Sequence, residues 1–223
     1  MRRNVKLAFI AIVLGVALSL IPYIMVYSST GGDLFAASPA FFDDFENQIL
    51  NSKWQFVDPL GNSSFDLTTK EGWLTMNTFS PPHRNITDGP RLVLSDITGD
   101  FNITTKVQLS LTSPNGSAGI IVWKDNEHYV YLHDALGQGN TMLFSDMRVT
   151  IAKDARYAYY GAIDLILSRK GDDFTASYIS QGVKSVVETI NFPINGPLEV
   201  GISAASTTNG SFSACFEFVS LTS

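Results

Sequence analysis

Residues 101–110, FNITTKVQLS, alternate without a break. Phe101, Ile103, Thr105, Val107 and Leu109 fall on one side of an extended chain, and Asn102, Thr104, Lys106, Gln108 and Ser110 on the other. Successive side chains of a β-strand point to opposite faces, so a period of two marks a strand with one dry face and one wet face. The same period recurs in Ile163, Leu165, Leu167; in Phe174, Ala176, Tyr178; in Leu198, Val200, Ile202; and in Phe212, Ala214, Phe216, Phe218. These runs are bounded by turn signals: Pro114-Asn115-Gly116, Lys170-Gly171-Asp172-Asp173, Asn195-Gly196-Pro197 and Asn209-Gly210. Shorter candidates lie at 41–46, 53–58, 64–69, 72–77, 91–95, 118–124, 127–133, 141–145 and 185–191. About a dozen strands with no convincing helix beyond the N-terminal segment predict an all-β chain, a two-layer antiparallel sandwich or a barrel. No internal repeat is visible, which argues against propellers and solenoids.

Outward from these strands, the first residues are of another kind. Arg2, Arg3 and Lys6 precede Leu7 to Val26, a run of 20 residues that is apolar apart from Ser19. At about 1.5 Å per residue such a helix spans about 30 Å, the thickness of a bilayer's hydrocarbon core. Positive charge ahead of the helix keeps the N-terminus cytoplasmic and exports the remainder of the chain. The expected organisation is an anchor or signal segment at 1–27, a small-residue linker at 28–39 and an extracellular domain at 40–223. An uncleaved helix makes the protein a single-pass cell-membrane protein, and a cleaved one makes it secreted.

Five Asn-x-Ser/Thr sequons, at Asn62, Asn85, Asn102, Asn115 and Asn209, fit export and are candidate glycosylation sites on turns, loops or a wet strand face. Charged residues make up only 16%, which suits a sheet protein whose exposed faces are Ser, Thr and Asn. A net charge of −6 without a Lys/Arg cluster argues against a nucleic-acid partner. Cys215 is the only cysteine, so the domain has no intramolecular disulfide and depends on its core.

An ordered series of short motifs resembles the concanavalin A-like sandwich found at the C-terminal end of family 43 glycoside hydrolases of the β-xylosidase type. It opens with Phe42-Asp43-Asp44-Phe45 and Leu50-Asn51-Ser52-Lys53-Trp54, followed by Gly72-Trp73-Leu74-Thr75-Met76. Phe101 to Val107, Ala118 to Trp123, Asn126-Glu127-His128-Tyr129-Val130 and the hairpin Arg169 to Thr175 come next. Gly201-Ile202-Ser203-Ala204 and Phe216-Glu217-Phe218 close the series, which covers about residues 41 to 221. The resemblance implies two curved sheets in jelly-roll order, with a concave face open to a saccharide. It implies no active site, because the chemistry of family 43 enzymes lies in a separate propeller domain. A structural calcium is common in such a fold near the paired first and last strands, where Asp43, Asp44 and Glu217 are the oxygen donors at hand, the alternative being that these carboxylates form a solvated face.

The residues themselves carry little chemistry. Glycoside hydrolysis needs two carboxylates across one bond, and the Glu-x-Asp-x-Glu run of catalytic concanavalin-like enzymes is missing while the glutamates are scattered. There is no Gly-x-Ser-x-Gly elbow, and His83 lies in a loop. His128 and His133, five apart on an expected strand, fall on opposite faces and share no metal. No cofactor or metal site is therefore expected, with the structural calcium kept as an alternative.

Aromatic side chains remain, since sugar rings stack on flat groups while polar neighbours bond their hydroxyls. Tyr129, Tyr131 and His133 share one face of a strand, with Val130 and Leu132 on the other, so the first three are expected to face solvent, the alternative being that some of them pack between the sheets or under a loop. Trp123 lies on the preceding strand, with Asp125 or Arg169 as hydroxyl partner. Tyr157, Tyr159 and Tyr160 form a second aromatic cluster. The expected function is a non-catalytic, membrane-anchored module that binds carbohydrate or another cell-surface ligand. The alternative is a structural subunit of a surface layer, filament or adhesin.

Overall fold

A computed structural model describes residues 40–79, 86–110, 116–135, 139–145, 161–180, 182–206 and 209–223. The apolar segment, the linker, His83, the sequons Asn85 and Asn115, and the tyrosines at 157, 159 and 160 lie outside the described residues. Fourteen strands form among the described residues. In chain order these are β1 (Phe41–Asp43), β2 (Gln55–Val57), β3 (Ser63–Asp66), β4 (Leu74–Thr78), β5 (Arg91–Ile97), β6 (Phe101–Leu109) and β7 (Gly116–Trp123). They continue with β8 (Tyr129–Ala135), β9 (Gly139–Ser145), β10 (Ile163–Lys170), β11 (Asp173–Ser180), β12 (Val183–Asn191), β13 (Leu198–Ser206) and β14 (Phe212–Thr222). One short 3-10 turn at Ile86–Asp88 is the only helical element among the described residues.

Two antiparallel sheets result. One has the order β12-β11-β10-β6-β14-β4-β3 with β1 against β14, and the other the order β2-β5-β13-β7-β8-β9. The strand that announced the fold, β6, is buried at Phe101, Ile103, Thr105, Val107 and Leu109 and sits between β10 and β14. Between the sheets lies one large core, including Leu74, Ile103, Leu165, Phe174, Phe212 and Phe216 from the first and Leu92, Ile120, Val130, Leu132 and Ile202 from the second. This is a sandwich of two inward faces, one of the two architectures expected from the alternation.

Several motif residues have structural tasks. Trp54 packs edge-on against Phe41 at 5.0 Å and alongside Phe45 at 6.4 Å. Its indole N–H donates to Asp43 Oδ2 at 2.8 Å, and the Phe45 N–H donates to Asp43 Oδ1 at 3.0 Å. Both oxygens of Asp43 are thus engaged, and Glu217 is ion-paired with Lys106. Asp43, Asp44 and Glu217 are not assembled around one point, and no group of three His, Cys, Asp or Glu among the described residues is placed to hold a metal.

Two glycines let the strands of the second sheet close up. A Cβ on Gly119 would stand 2.0 Å from the Leu132 carbonyl oxygen, and one on Gly201 would stand 2.0 Å from that of Leu92. Side chains turned away from the core on β13 are otherwise Glu199, Ser203 and Ala205. Small residues here leave a low strip that long side chains from β5 and β8 can cross.

Candidate functional site

The side of the second sheet turned away from the core carries Arg91 and Val93 on β5, Ile121 and Trp123 on β7, and Tyr129, Tyr131 and His133 on β8. Val130 and Leu132 belong to the main core, whereas Val93, Ile121, Trp123, Tyr129 and Tyr131 form a separate apolar cluster with Val57 packed on it. The strand parity expected from the sequence is therefore the one observed. The expected exposure is not: Tyr129 is 8% exposed, Tyr131 1% and His133 5%. Alternation states which side of a sheet a residue takes, but burial on that side depends on the rest of the fold.

Trp123 and Tyr129, opposite each other in the β7–β8 register, stack at 5.5 Å with 17° between their planes. From the other direction in the strand order, the Arg91 guanidinium comes over the Trp123 ring at 4.2 Å, a cation–π contact of a desolvated arginine. Arg91 is opposite Ser203, and Glu199 lies on the same side of β13 with Gly201 between them. The missing side chain at Gly201 allows the arginine to run along the sheet, where its Nε meets Glu199 Oε2 at 3.3 Å. Burial pulls the Arg91 pKa below its ordinary value, and the charge and hydrogen bond of Glu199 resist that pull.

One residue pair further along, Tyr131 and His133 stack at 4.6 Å with 16° between planes. The Tyr131 hydroxyl donates to the Ser203 carbonyl at 3.4 Å, and Ser203 Oγ donates to the Pro90 carbonyl at 2.9 Å. Burial raises the Tyr131 pKa well above its ordinary value. Burial also lowers His133 to about 4, and a contact with the Asp134 backbone opposes that shift. Among the described residues, neither His133 ring nitrogen has a partner in good hydrogen-bonding geometry.

Beside the Arg91–Trp123 end the surface opens into a cleft of about 500 Å³ lined by Arg91, Trp123, Asp125, Asn126 and Glu127. Its rim is the tight turn from β7 to β8. Asp125 Oδ1 accepts from the Glu127 N–H at 2.9 Å and the His128 N–H at 2.9 Å, and contacts the His128 ring Nδ1 at 2.7 Å. Although burial acts to raise it, the Asp125 pKa lies below its ordinary value because these contacts with His128 and Glu127 favour the carboxylate. His128 thus belongs to the turn and not to β8.

Trp123 and Asp125 stand where the sequence places them, but Arg169 does not join them. It lies on β10 in the other sheet, donating to the Gly171 carbonyl at 3.0 Å and the Ile194 carbonyl at 2.6 Å. Arg91 takes the place expected for it, held by Glu199, and neither residue stands out in the sequence. The available signal is a lone arginine heading the apolar run Leu92-Val93-Leu94; its partner lies 108 residues away. Of the sequons described, Asn102 and Asn209 are exposed. Asn62 is half-buried and its amide donates to the Phe79 carbonyl at 2.8 Å.

Residues 42–222 match the family described as the β-xylosidase C-terminal concanavalin A-like domain. No curated protein matches the chain by sequence. Solved structures share the fold. A functionally unknown protein from Saccharomyces cerevisiae is 19% identical with a TM-score of 0.64, over 77% of this chain and 97% of that one. A xylan β-1,4-xylosidase from Bacillus halodurans is 17% identical with a TM-score of 0.65, over 87% of this chain and 41% of the enzyme. The CBM2 module of the evolved Dit of Lactobacillus casei phage J-1 is 12% identical with a TM-score of 0.54, over 82% of this chain and 94% of the module. The chain thus spans about two fifths of that xylosidase and nearly all of the yeast protein and the phage module.

Proposed function

Because this chain belongs to the β-xylosidase C-terminal concanavalin A-like domain family, we propose that it is a non-catalytic module that binds saccharide, held on the outer side of a membrane by its N-terminal apolar segment. The observation that carries the reading is the cleft where Arg91, packed on Trp123, meets Asp125, Asn126 and Glu127. An indole edge, a guanidinium, an amide and carboxylates converging on one opening supply both an apolar contact and the donors and acceptors that a polyhydroxyl ring needs. The binding group is this end of the face, in place of the buried Tyr131 and His133. The family description names a C-terminal domain, and the part of the xylosidase that this chain spans is a minor share of it; both support the non-catalytic reading. The charge-flanked apolar run and the sequons support export.

Titration calorimetry of the full-length chain in detergent with xylo-oligosaccharides tests this, with chromatography of the sugar afterwards. Binding with the oligosaccharide intact is the expected result. Shortened products would make the protein an enzyme, and no heat with any oligosaccharide would remove the saccharide reading. A second reading, a structural subunit of a surface layer, filament or adhesin, is favoured by the sheet edge at β12, where Val183 and Val186 are 64% and 63% exposed. Concentration-dependent association lost on Val186→Lys would support it.

A further inference from the structure

The cleft's charges narrow the class of sugar, an inference that rests on the saccharide reading above. We infer that the site selects neutral, hydroxyl-bearing sugars and discriminates against sugars that carry a carboxylate. One guanidinium, that of Arg91, stands there against three carboxylates: Glu199 on its Nε at 3.3 Å, and Asp125 and Glu127 on the rim. The one lysine in the rim turn, Lys124, keeps its charge but donates to the Asn195 carbonyl and does not line the cleft.

Hydrogen-bonding capacity leads to the same selection. The Arg91 side chain is 11% exposed and lines the cleft, and the nitrogen it gives to Glu199 is Nε, so its terminal nitrogens are the donors it can offer a ligand. Asp125 Oδ1 is taken by the turn, which leaves Oδ2 and the Glu127 carboxylate as acceptors. A sugar hydroxyl donates to a carboxylate and accepts from a guanidinium, so a pair of neighbouring hydroxyls satisfies both kinds of group. A uronate carboxylate only accepts. It finds one cationic donor, already paired with Glu199, and the neutral amide of Asn126, and it meets the like charge of the two rim carboxylates. Since the rim is exposed, that repulsion is screened by salt.

The test is calorimetric competition on the full-length chain in detergent, with two probes of one backbone: xylotetraose, and a xylotetraose bearing a glucuronic acid branch. At low salt the acidic probe is expected to bind at least tenfold more weakly. The gap should shrink at high salt and largely close in the double variant Asp125→Asn/Glu127→Gln, in which the Asn side-chain oxygen still serves the turn. Equal or tighter binding of the acidic probe to the wild type would overturn the inference while leaving the saccharide reading standing. So would a gap that persists in the double variant with an unchanged melting temperature. Failure of both probes to bind would remove the saccharide reading and this inference together.

Discussion

The rings of Tyr131 and His133 lie 4.6 Å apart and 16° from parallel, on the side of β8 turned away from the sandwich core and yet buried. A stacked imidazole in that position is favoured in its neutral form, because burial strips the charged form of its hydration and outweighs the opposing contact with the Asp134 backbone.

Stability should therefore depend on pH through His133. The folded-state pKa of about 4 is depressed below the unfolded value of about 6.5. The contribution is intact above pH ~6.5 and is lost as pH falls toward ~4, reaching about 3 kcal/mol. Urea unfolding of wild type and His133→Gln at a series of pH values checks this. The wild-type loss between these limits should be much smaller in the variant, whereas parallel curves would mean that His133 is not the titrating group.

Arg91 and Glu199 should behave as a half-buried pair. Glu199→Ala leaves the guanidinium on Trp123 without its counter-charge and is expected to cost about 2–4 kcal/mol, while Arg91→Met with Glu199→Gln recovers most of that loss. Denaturant unfolding of the single and double variants measures the difference. A double variant less stable than the single one would show that the cation–π contact, not the pairing, dominates.

Both sides of β8 should matter to stability. Val130→Ala should cost about 1–3 kcal/mol by emptying core volume. Tyr131→Ala should cost about 3–5 kcal/mol, since it removes a larger buried side chain. A Tyr131→Ala protein as stable as wild type would restore the solvent-facing reading of that side.

Gly119→Ala should destabilise the second sheet by several kcal/mol, because the added methyl would stand 2.0 Å from the Leu132 carbonyl oxygen, a backbone atom that cannot swing aside. Gly61→Ala, at φ 64° with open space around it, should cost only about 1 kcal/mol of backbone strain. Comparing their melting temperatures separates steric closure from local conformation. Equal shifts would mean that the strands separate easily at Gly119.

The architecture was legible because hydrophobic alternation is local: β6, β10, β11, β13 and β14 each carry it within a few residues. The order of strands was not, since pairing β6 with β10 and β14 joins segments far apart in the chain. That is why Arg169 was expected beside Trp123 although β10 belongs to the other sheet. The role of Arg91 is not legible in the sequence for a related reason. Its meaning depends on Gly201 leaving a strip to cross and on Glu199 beyond it, and neither is a neighbour in sequence. For Tyr129, Tyr131 and His133, alternation gave the side correctly and could say nothing about its burial.

The central claim, a saccharide site at the Arg91–Trp123 end, is tested most directly by the three indole N–H resonances of the ¹⁵N-labelled full-length chain, from Trp54, Trp73 and Trp123. Each is assigned by a Trp→Phe variant, and xylotetraose is then titrated in. The account predicts that the Trp123 signal moves with saturating dependence while that of Trp54, bonded to Asp43, stays fixed. Movement of the Trp73 or Trp54 signal with Trp123 unmoved, or no movement at all, would contradict it.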